Sequence, residues 1–581
     1  MIELDFTPSK YQQDIFDFVL HGRGNGIIKA CAGSGKTKVL VTSMKLLPKK
    51  RKCLFIAFNK SIVDELLRKL DGYDNCKAYT IHSLGYAMLR RNFDSDIEVN
   101  EYKYRLQMKK NIGEYIDMEN TLFTESQIND YIENVLELVD YSRFNLAQSE
   151  KEIRAVALKY DIPMLSNEAE TVVKLLEWGK SDVSVVDYTD MVWLPVEIGI
   201  NPMGFQFDWI FFDEAQDASL MAISLFRKCI KRGTRVLCAG DPDQSINMFA
   251  GSSEDAFEEL GNGSKLFTLP ITYRCPKKVV EIANRIVDDM IPLDDAIDGD
   301  IIENIGVADL RDGDMVLSRC KTPLINLYVR LLRRNVNCYI KGQNIGRNLI
   351  SMLERIDREE LNTNMLNDGV FTQLYDKLFE YRSLIMKQTG LDVRDATMVN
   401  SVMEFYDCIS SLKILSEGCG TKSELIDRID KIFSEDGDGI CLSTIHKAKG
   451  LEADRVVILC NSSMPSKRSR KEWERKQEVN LQYVAYTRAK KTLAFFSEDV
   501  IKPTASLMDV DKIMDELNSI EYLVCKALGR EYNGCADLYD YSRYRVENTK
   551  PLEIERVSFN IVSSADEDDM YNFDEIMDML Q

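Results

Sequence analysis

The feature that most constrains this chain is a glycine-rich segment near its N-terminus, residues 30–37, which reads ACAGSGKT. The apolar run Gly26–Ala30 before it predicts a short buried strand, and residues 38–44 after it predict the start of a helix. Gly33 and Gly35 permit backbone conformations that a Cβ disfavours, so successive N–H groups can converge on one anion. Strand, loop and helix together predict an α/β domain that binds a phosphate group, whereas the alternative is an ordinary glycine-rich turn.

The same segment carries the two side chains that a nucleoside triphosphate and its magnesium ion require. The Lys36 ammonium would reach the β- and γ-phosphates, and the Thr37 hydroxyl would bind Mg²⁺. Ala30 stands where the strictest form of the pattern has glycine. The residues predicted to contact the nucleotide here are Ala30, Cys31, Ala32, Gly33, Ser34, Gly35, Lys36 and Thr37.

An aspartate–glutamate pair, Asp213 and Glu214, follows a second apolar run at residues 205–212. Carboxylates just past the end of a buried parallel strand lie where open α/β sheets bind ligands. Asp213 would then hold Mg²⁺, and Glu214 would orient and deprotonate the attacking water. A solvated acidic loop is the alternative for such a pair, and the presence of residues 30–37 favours the catalytic interpretation. The two segments together predict hydrolysis of a nucleoside triphosphate.

Six further segments contain recognisable sequence motifs, in a definite order along the chain. They are residues 7–13 (TPSKYQQ), 80–83 (TIHS), 239–246 (AGDPDQSI), 272–274 (TYR), 444–452 (TIHKAKGLE) and 483–489 (YVAYTRA). In order and wording these segments resemble the UvrD/Rep/PcrA group of superfamily 1 DNA helicases, from about residue 6 to about residue 496. The resemblance implies ATP and Mg²⁺ as cofactors. It also implies an α/β fold of two RecA-like P-loop NTPase lobes with helical insertions.

The resemblance further implies roles for single residues around the nucleotide. The residues that it assigns to adenine and ribose are Gln12, Tyr273 and Glu452. Gln244 would sense the γ-phosphate, and Arg274 and Arg488 would stabilise the charge that develops on it. The planar fork of arginine suits phosphate oxygens, and such arginine fingers are worth roughly 10³–10⁵ in rate. The predicted catalytic set is Lys36, Glu214, Gln244, Arg274 and Arg488.

The DNA contacts that the resemblance implies are spread over both halves of the chain. They are Phe58, Asn59, Thr80, His82, Phe249, Thr444 and His446. Phe249 occupies the position of a base-stacking tryptophan, and Ala250 replaces an expected arginine contact. The motif around Phe58 is shortened here, so two roles stay open for this residue: it stacks on a base, or it belongs to the core. His82 and His446 are two of only three histidines in the chain, which argues against chance placement inside motifs.

The formal net charge of −20 excludes a DNA binder with a basic surface all round, but not a positive channel within an acidic shell. A basic cluster between residues 467 and 476 is either a solvated loop or a DNA contact. No apolar run approaches the roughly 20 residues that span a membrane, and the 14 cysteines form no CxxC pair. These features indicate a reducing, cytoplasmic setting without a membrane partner, nucleoid-associated or in a host cytoplasm if a phage encodes the protein.

The motifs fall into two groups, with stretches of helical spacing between them. This pattern fits the two lobes that the resemblance implies, each interrupted by a largely helical insertion. The predicted parts are a first RecA-like lobe at residues 1–91 and 181–275, a helical insertion at 92–180, a second RecA-like lobe at 276–350 and 436–556, a short helical insertion at 351–435 and an acidic tail at 557–581.

The tail contains no lysine or arginine, and its apolar residues recur at three- and four-residue steps. Those apolar residues are Met570, Phe573, Ile576, Met577 and Leu580. A short amphipathic helix at these positions would dock on a replication or repair protein, or cover the DNA channel when no DNA is bound. A disordered, solubilising tail is the alternative.

Three functions are compatible with these motifs. The first is an ATP-dependent DNA helicase that moves 3′ to 5′ along single strands and unwinds duplexes at junctions, in replication, repair or recombination. Its direction is what the resemblance implies, because the sequence of residues 448–452 matches the 3′-to-5′ branch of these helicases. The second is a DNA-stimulated translocase that removes bound proteins without efficient unwinding. The third is a nucleotide-gated DNA-binding recruitment module, against which the intact catalytic set argues.

Overall fold

The computed structural model describes residues 6–529 except 58–59, 71, 94–95, 116–124, 165–166, 203, 248–255, 333, 335, 355–367, 435–436, 467–468, 470 and 499–509. Two parallel sheets, each flanked by helices, form two α/β lobes. The predicted fold class, two RecA-like lobes, is confirmed. The acidic tail at 557–581 lies outside the described residues, so its docking role stays a prediction.

The N-terminal half contains the first lobe. Its strands are β1 (Gly26–Ala30), β2 (Cys53–Ala57), β3 (Cys76–Thr80), β4 (Glu98–Val99), β5 (Val185–Val186), β6 (Trp209–Phe212), β7 (Arg235–Gly240), β8 (Lys265–Leu269) and β9 (Ile271–Thr272). Its helices are α1 (Lys10–His21), α2 (Lys36–Lys45), α3 (Lys60–Lys69), α4 (Ile81–Phe93), α5 (Lys103–Lys110), α6 (Ile112–Tyr115), α7 (Glu125–Phe144), α8 (Glu150–Tyr160), α9 (Glu168–Ser181), α10 (Tyr188–Glu197), α11 (Leu220–Lys228) and α12 (Ala256–Gly261).

Six of these strands form one sheet in the order β3-β2-β6-β7-β1-β8, and every neighbouring pair is parallel. Successive residues of β2 point to opposite faces, so Leu54 and Ile56 join one core while Phe55 joins the other. Such two-sided burial explains why β2 and β6 are continuous apolar runs rather than alternating ones. Because all strands are parallel, the segments that follow β1, β3, β6 and β7 emerge at one edge of the sheet.

The C-terminal half contains the second lobe. Its strands are β10 (Ile291–Pro292), β11 (Asp300–Ile305), β12 (Met315–Ser318), β13 (Cys338–Lys341), β14 (Phe433–Ser434), β15 (Ile440–Thr444), β16 (Ala453–Leu459) and β17 (Ala489–Phe496). Its helices are α13 (Lys277–Ala283), α14 (Lys321–Leu332), α15 (Gln343–Glu354), α16 (Asp368–Thr389), α17 (Val393–Thr397), α18 (Asn400–Ser416), α19 (Lys422–Ile432), α20 (Glu472–Tyr486) and α21 (Val510–Ala527).

Seven of these strands form the second sheet in the order β11-β17-β16-β12-β15-β13-β14, again parallel throughout. Helix α20 lies between β16 and β17, and the last of the motifs read from the sequence, residues 483–489, begins on its final turn. Helix α21 packs on α16, where Glu521 accepts a hydrogen bond from Arg382 at 2.8 Å. No helix of the described part of the chain is long and apolar enough to cross a membrane.

A buried ionic cluster joins helices α5 and α7 to helix α10 of the first lobe. Asp190 on α10 is fully buried and accepts hydrogen bonds from Lys103 Nζ at 2.6 Å, Tyr104 Oη at 2.8 Å and Arg143 Nη1 at 2.8 Å. Arg143 also donates to Asp187 at 2.8 Å. Two buried cations therefore depend on the carboxylates of one helix, which anchors the helical layer to the lobe.

We expect Asp190→Ala to lower the free energy of unfolding by about 3–5 kcal/mol, because it leaves two buried cations without their shared carboxylate. Urea denaturation followed by circular dichroism measures this loss in the first transition. Glu170→Ala is the matched control, because its ion pair with Lys174 at 2.8 Å is exposed and contributes about 0–1 kcal/mol. Equal losses in the two variants would contradict a stabilising role for the cluster.

Helix α16 of the second lobe also contacts the segment between α8 and α9 of the first lobe. Gln388 on α16 donates a hydrogen bond to the Ile162 carbonyl at 2.9 Å and accepts one from the Met164 amide at 2.9 Å. Close by, Lys471 pairs with Asp161 at 2.8 Å. These contacts connect the segment between α8 and α9 to parts of the chain more than 200 residues away.

Candidate active site between the two lobes

The glycine-rich segment at residues 30–37, called the phosphate loop from here on, begins at the last residue of β1. Its backbone has the shape that the sequence predicts. Gly33 and Gly35 have φ of +72° and +78°, the left-handed region that glycine tolerates best. A Cβ on Gly33 would lie 2.6 Å from the Arg274 Cβ, so this position also requires glycine because of close packing. Helix α2 begins at Lys36 without a side-chain cap, which leaves its N-terminal N–H groups available to an anion.

The acidic pair lies opposite this loop. Strand β6 covers only the second half of the apolar run 205–212, and Asp213 and Glu214 follow its last residue. The Thr37 hydroxyl donates to Asp213 Oδ2 at 2.5 Å, and Lys36 Nζ lies 3.0 Å from Glu214 Oε2. Glu214 has a φ of +51°, a left-handed conformation that is uncommon for a residue with a Cβ. The four side chains predicted to act on phosphates, Mg²⁺ and water thus meet at one point.

Burial and neighbouring charges give the two carboxylates different proton affinities. Burial raises the pKa of Asp213 to about 6, helped by the neighbouring Glu214 charge. Burial would also raise the pKa of Glu214, but Lys36 and Lys449 outweigh it and hold this pKa at about 2. Glu214 is therefore ionised at neutral pH, in the state that a general base requires.

The residues present fit a magnesium–nucleotide complex. Ser34 Oγ is buried, and no described residue is its hydrogen-bond partner. Thr37 and Asp213 offer a hydroxyl and a carboxylate oxygen, which are ligands that Mg²⁺ prefers. Within the described residues no three His, Cys, Asp or Glu side chains form a metal-binding group. A two-ligand site suits Mg²⁺, which usually takes its other ligands from water and phosphate oxygens.

A polar relay leads from the acidic pair towards the second lobe. Gln216 Nε2 donates to Glu214 Oε2 at 2.6 Å, and its Oε1 accepts from the Asp241 amide at 3.0 Å. Gln244 Nε2 in turn donates to Asp241 Oδ2 at 2.6 Å. Neither Gln216 nor Asp241 is among the site residues predicted from the sequence. Only their positions could have indicated that they belong to the site: Gln216 lies two residues after Glu214, and Asp241 directly follows β7.

The second lobe supplies cations to the same place. Arg488 Nη2 of the second lobe lies 3.4 Å from Gln244 Oε1. Arg274, which follows β9 of the first lobe, donates to Glu452 of the second lobe at 2.6 Å. Lys449 forms an ion pair with Asp217, and neither residue was predicted to belong to the site. Burial and the neighbouring Arg274 lower the pKa of Arg488 to about 10, so its guanidinium stays charged at neutral pH.

The residues predicted to hold adenine and ribose are less closely connected. The Tyr273 ring is about half exposed, while its backbone N–H donates to the Gly33 carbonyl at 2.9 Å. Gln12 is buried and its side chain accepts from the Ser9 amide, completing the capping box of α1. Among the described residues, no hydrogen bond or ion pair joins Gln12 to the rest of the site, so its adenine contact stays a prediction.

Four of the predicted DNA contacts lie at equivalent places in the two lobes. Thr80 and Thr444 are the last residues of β3 and β15, and His82 and His446 follow two residues later. Both threonines are buried and accept hydrogen bonds from backbone amides: Ser83 to Thr80 at 3.2 Å and Lys447 to Thr444 at 3.4 Å.

Burial lowers the pKa of His82 to about 4 and of His446 to about 3, so both imidazoles are neutral at physiological pH. Their DNA contacts stay predictions. Phe58, Asn59 and Phe249 lie outside the described residues, as does Ala250.

A phosphate loop on one parallel sheet and an arginine, Arg488, presented from the second lobe define the class of RecA-like P-loop nucleotide-hydrolysing proteins. Residues 12–264 match the model of the UvrD/REP helicase N-terminal domain, and residues 347–498 match that of the UvrD-like helicase C-terminal domain. These matches cover more than two thirds of the chain, which therefore belongs to the UvrD/Rep/PcrA-like helicase family. The resemblance inferred from the motifs is confirmed.

Individual relatives are distant in sequence. F-box DNA helicase protein 1 of Schizosaccharomyces pombe is 25% identical over 80% of this chain and 55% of its own length. A probable DNA helicase II homolog of Mycoplasma genitalium is 21% identical over 92% of this chain and 91% of its own length. ATP-dependent DNA helicase PcrA of Bacillus subtilis is 22% identical over 45% of this chain and 37% of its own length. The chain thus spans about half the length of the first of these relatives.

Proposed function

We propose that this protein is an ATP-dependent DNA motor that moves 3′ to 5′ along single-stranded DNA and separates duplexes at single/double-strand junctions. Family membership and the names of the relatives support DNA as the substrate. The wording of residues 448–452 supports the direction. Replication, repair and recombination are the processes in which such an activity is used.

One observation supports this proposal most strongly: a continuous chain of contacts joins the two lobes through the hydrolysis site. It runs from Glu214 through Gln216, Asp241 and Gln244 to Arg488. Arg488 belongs to the second lobe, so its distance from a nucleotide on the first lobe depends on how the lobes are arranged. Hydrolysis that depends on lobe closure is what a motor requires, because the chemical step then accompanies a displacement.

The residues of this chain divide the work of hydrolysis between them. Lys36 now neutralises Glu214, and phosphate oxygens in the loop would compete for its ammonium group. With Lys36 on phosphate, Glu214 is free to accept the proton of a water molecule. Thr37 and Asp213 would hold Mg²⁺, which neutralises phosphate charge when bound. Arg274 and Arg488 would stabilise the negative charge that develops at the γ-phosphate.

The proposal is tested by measuring ATP hydrolysis with and without single-stranded DNA, and strand separation on duplexes with a 3′ or a 5′ tail. We expect hydrolysis to rise with DNA, and only the 3′-tailed duplex to be unwound. Lys36→Ala is the control that removes the phosphate-binding ammonium, and both activities should be lost in it. Unwinding of the 5′-tailed duplex alone would overturn the direction.

Two other outcomes would replace the proposal. DNA-stimulated hydrolysis without strand separation would identify a translocase that displaces bound proteins. Hydrolysis that is weak and indifferent to DNA would identify a nucleotide-gated DNA-binding module, with the replacement of an arginine by Ala250 as the candidate cause of lost coupling.

A further inference from the structure

A tyrosine from the second lobe contacts the phosphate loop itself. Tyr483 lies on α20 and is almost completely buried. The Ala32 amide of the loop donates a hydrogen bond to the Tyr483 hydroxyl at 2.8 Å. The same hydroxyl donates to Asp241 Oδ2 at 3.4 Å. One phenol group therefore joins the second lobe to two separate parts of the site on the first lobe.

Tyr483 is the last member of a stripe along α20. Gln477 Nε2 donates to the Ile246 carbonyl at 2.6 Å, and Asn480 Nδ2 donates to the Ser245 carbonyl at 2.9 Å. Residues 477, 480 and 483 are spaced by three, so they share one face of the helix. This face fixes both the rotation and the depth of α20 against the first lobe.

The end of α20 determines where Arg488 lies. The helix ends at Tyr486, and Arg488 Nε donates back to the Val484 carbonyl of the last turn at 2.9 Å. A shift or rotation of α20 therefore moves the guanidinium relative to Gln244. Of the three side chains on the stripe, Tyr483 is the nearest in sequence to Arg488 and the one that bonds to the phosphate loop.

We propose that Tyr483 is a positioning residue for nucleotide hydrolysis. Its hydroxyl ties the phosphate loop to helix α20, whose last turn accepts a hydrogen bond from Arg488 and so aligns the guanidinium with the γ-phosphate. The inference rests on the proposed hydrolytic function and adds a residue to it. A phenol suits this role because it accepts one hydrogen bond and donates another, whereas phenylalanine would keep the packing and lose both.

The first test compares two tyrosine-to-phenylalanine variants one turn apart. Tyr486 is also buried, and its hydroxyl donates to Asn461 at 2.7 Å and accepts from Gln482 at 2.7 Å, both within the second lobe. Tyr486→Phe therefore loses as many hydrogen bonds as Tyr483→Phe without touching the first lobe. Thermal unfolding of both variants checks that the two substitutions disturb the fold equally.

We expect Tyr483→Phe to lower kcat for DNA-stimulated ATP hydrolysis about tenfold, the effect of losing hydrogen bonds that act on the transition state. KM for ATP should change little, because an interaction that matters only in the transition state lowers kcat and kcat/KM together. Tyr486→Phe should remain close to the wild type. Equal kinetics in the two variants would overturn the proposal.

The second test repeats Tyr483→Phe in an Arg488→Lys background, which keeps the charge and loses the fork. If Tyr483 acts through Arg488, the second substitution should lower kcat by much less than tenfold there, because effects of residues that act as a unit do not add. A full tenfold loss in both backgrounds would overturn the positioning role. A wild-type protein without DNA-stimulated hydrolysis would instead refute the proposed function itself.

Discussion

Replacing Arg488 with alanine is expected to lower kcat for DNA-stimulated ATP hydrolysis by about 10³–10⁵-fold, the range found for arginine fingers. The guanidinium is buried and charged, and its Nη2 lies 3.4 Å from Gln244 Oε1. It therefore stands where charge develops on the transferred phosphoryl group if the nucleotide lies on the loop at residues 30–37. ATP binding should persist, since the loop and Lys36 belong to the first lobe.

Steady-state hydrolysis and equilibrium binding of a fluorescent ATP analogue measure these two quantities separately. Lys491→Ala is the matched control, because this lysine is exposed on β17, three residues from Arg488, and pairs only with Asp454 at 2.7 Å among its described contacts. The control should hydrolyse ATP at nearly the wild-type rate. An Arg488→Ala variant that retains more than a tenth of the wild-type kcat would contradict the assigned role.

Glu214→Gln is expected to lower the same kcat by about 10²–10⁴-fold, because it removes the carboxylate that would accept a proton from the attacking water. The neighbouring lysines hold the pKa of Glu214 at about 2, so the wild-type group is ionised throughout the neutral range. The amide keeps the shape of the side chain but cannot act as a base. Lys36 loses an anionic partner in this variant, so ATP binding should be retained or become tighter.

A single-turnover measurement with pre-bound ATP separates this chemical step from binding. Asp208→Asn serves as the control because Asp208 precedes β6, at the opposite end of the strand from Glu214, and pairs with Lys231 at 3.0 Å. It should leave the chemical step unchanged. If Glu214→Gln hydrolyses bound ATP as fast as the wild type, another group must deprotonate the water.

The parts of the site that could be predicted are those encoded in short, continuous segments. Residues 30–37 need two glycines in left-handed conformations, and this requirement is visible in the sequence because few other residues adopt them. Asp213 and Glu214 were predictable because the mostly apolar run before them indicates a buried parallel strand, which presents its following residues at the ligand-binding edge. Within the run at residues 205–212, only residues 209–212 pair as strand β6.

The parts that could not be predicted depend on side chains that meet across long separations. Tyr483 and Ala32 are 451 positions apart, and the motif containing Tyr483 indicated only its arginine. Asp190 reads as an ordinary polar residue near a helix start, yet it binds two buried cations from other helices. Gln216 lies close to Glu214 in sequence, but its second contact, with the Asp241 amide, exists only because β6 and β7 are neighbours.

Two α/β lobes and the family of this chain could be inferred from its short motifs alone, and the same motifs predict which residues contact phosphate. Local backbone requirements and the burial of parallel strands leave direct marks on residue type, so these properties can be read from short segments. The pairing of side chains became visible only in the folded protein: Lys36 pairs with Glu214, Gln216 connects Glu214 to Asp241, and Tyr483 ties α20 to the phosphate loop. Such contacts depend on how whole helices and sheets pack, and a side chain's type records what it can bind but not which partner the packing brings to it.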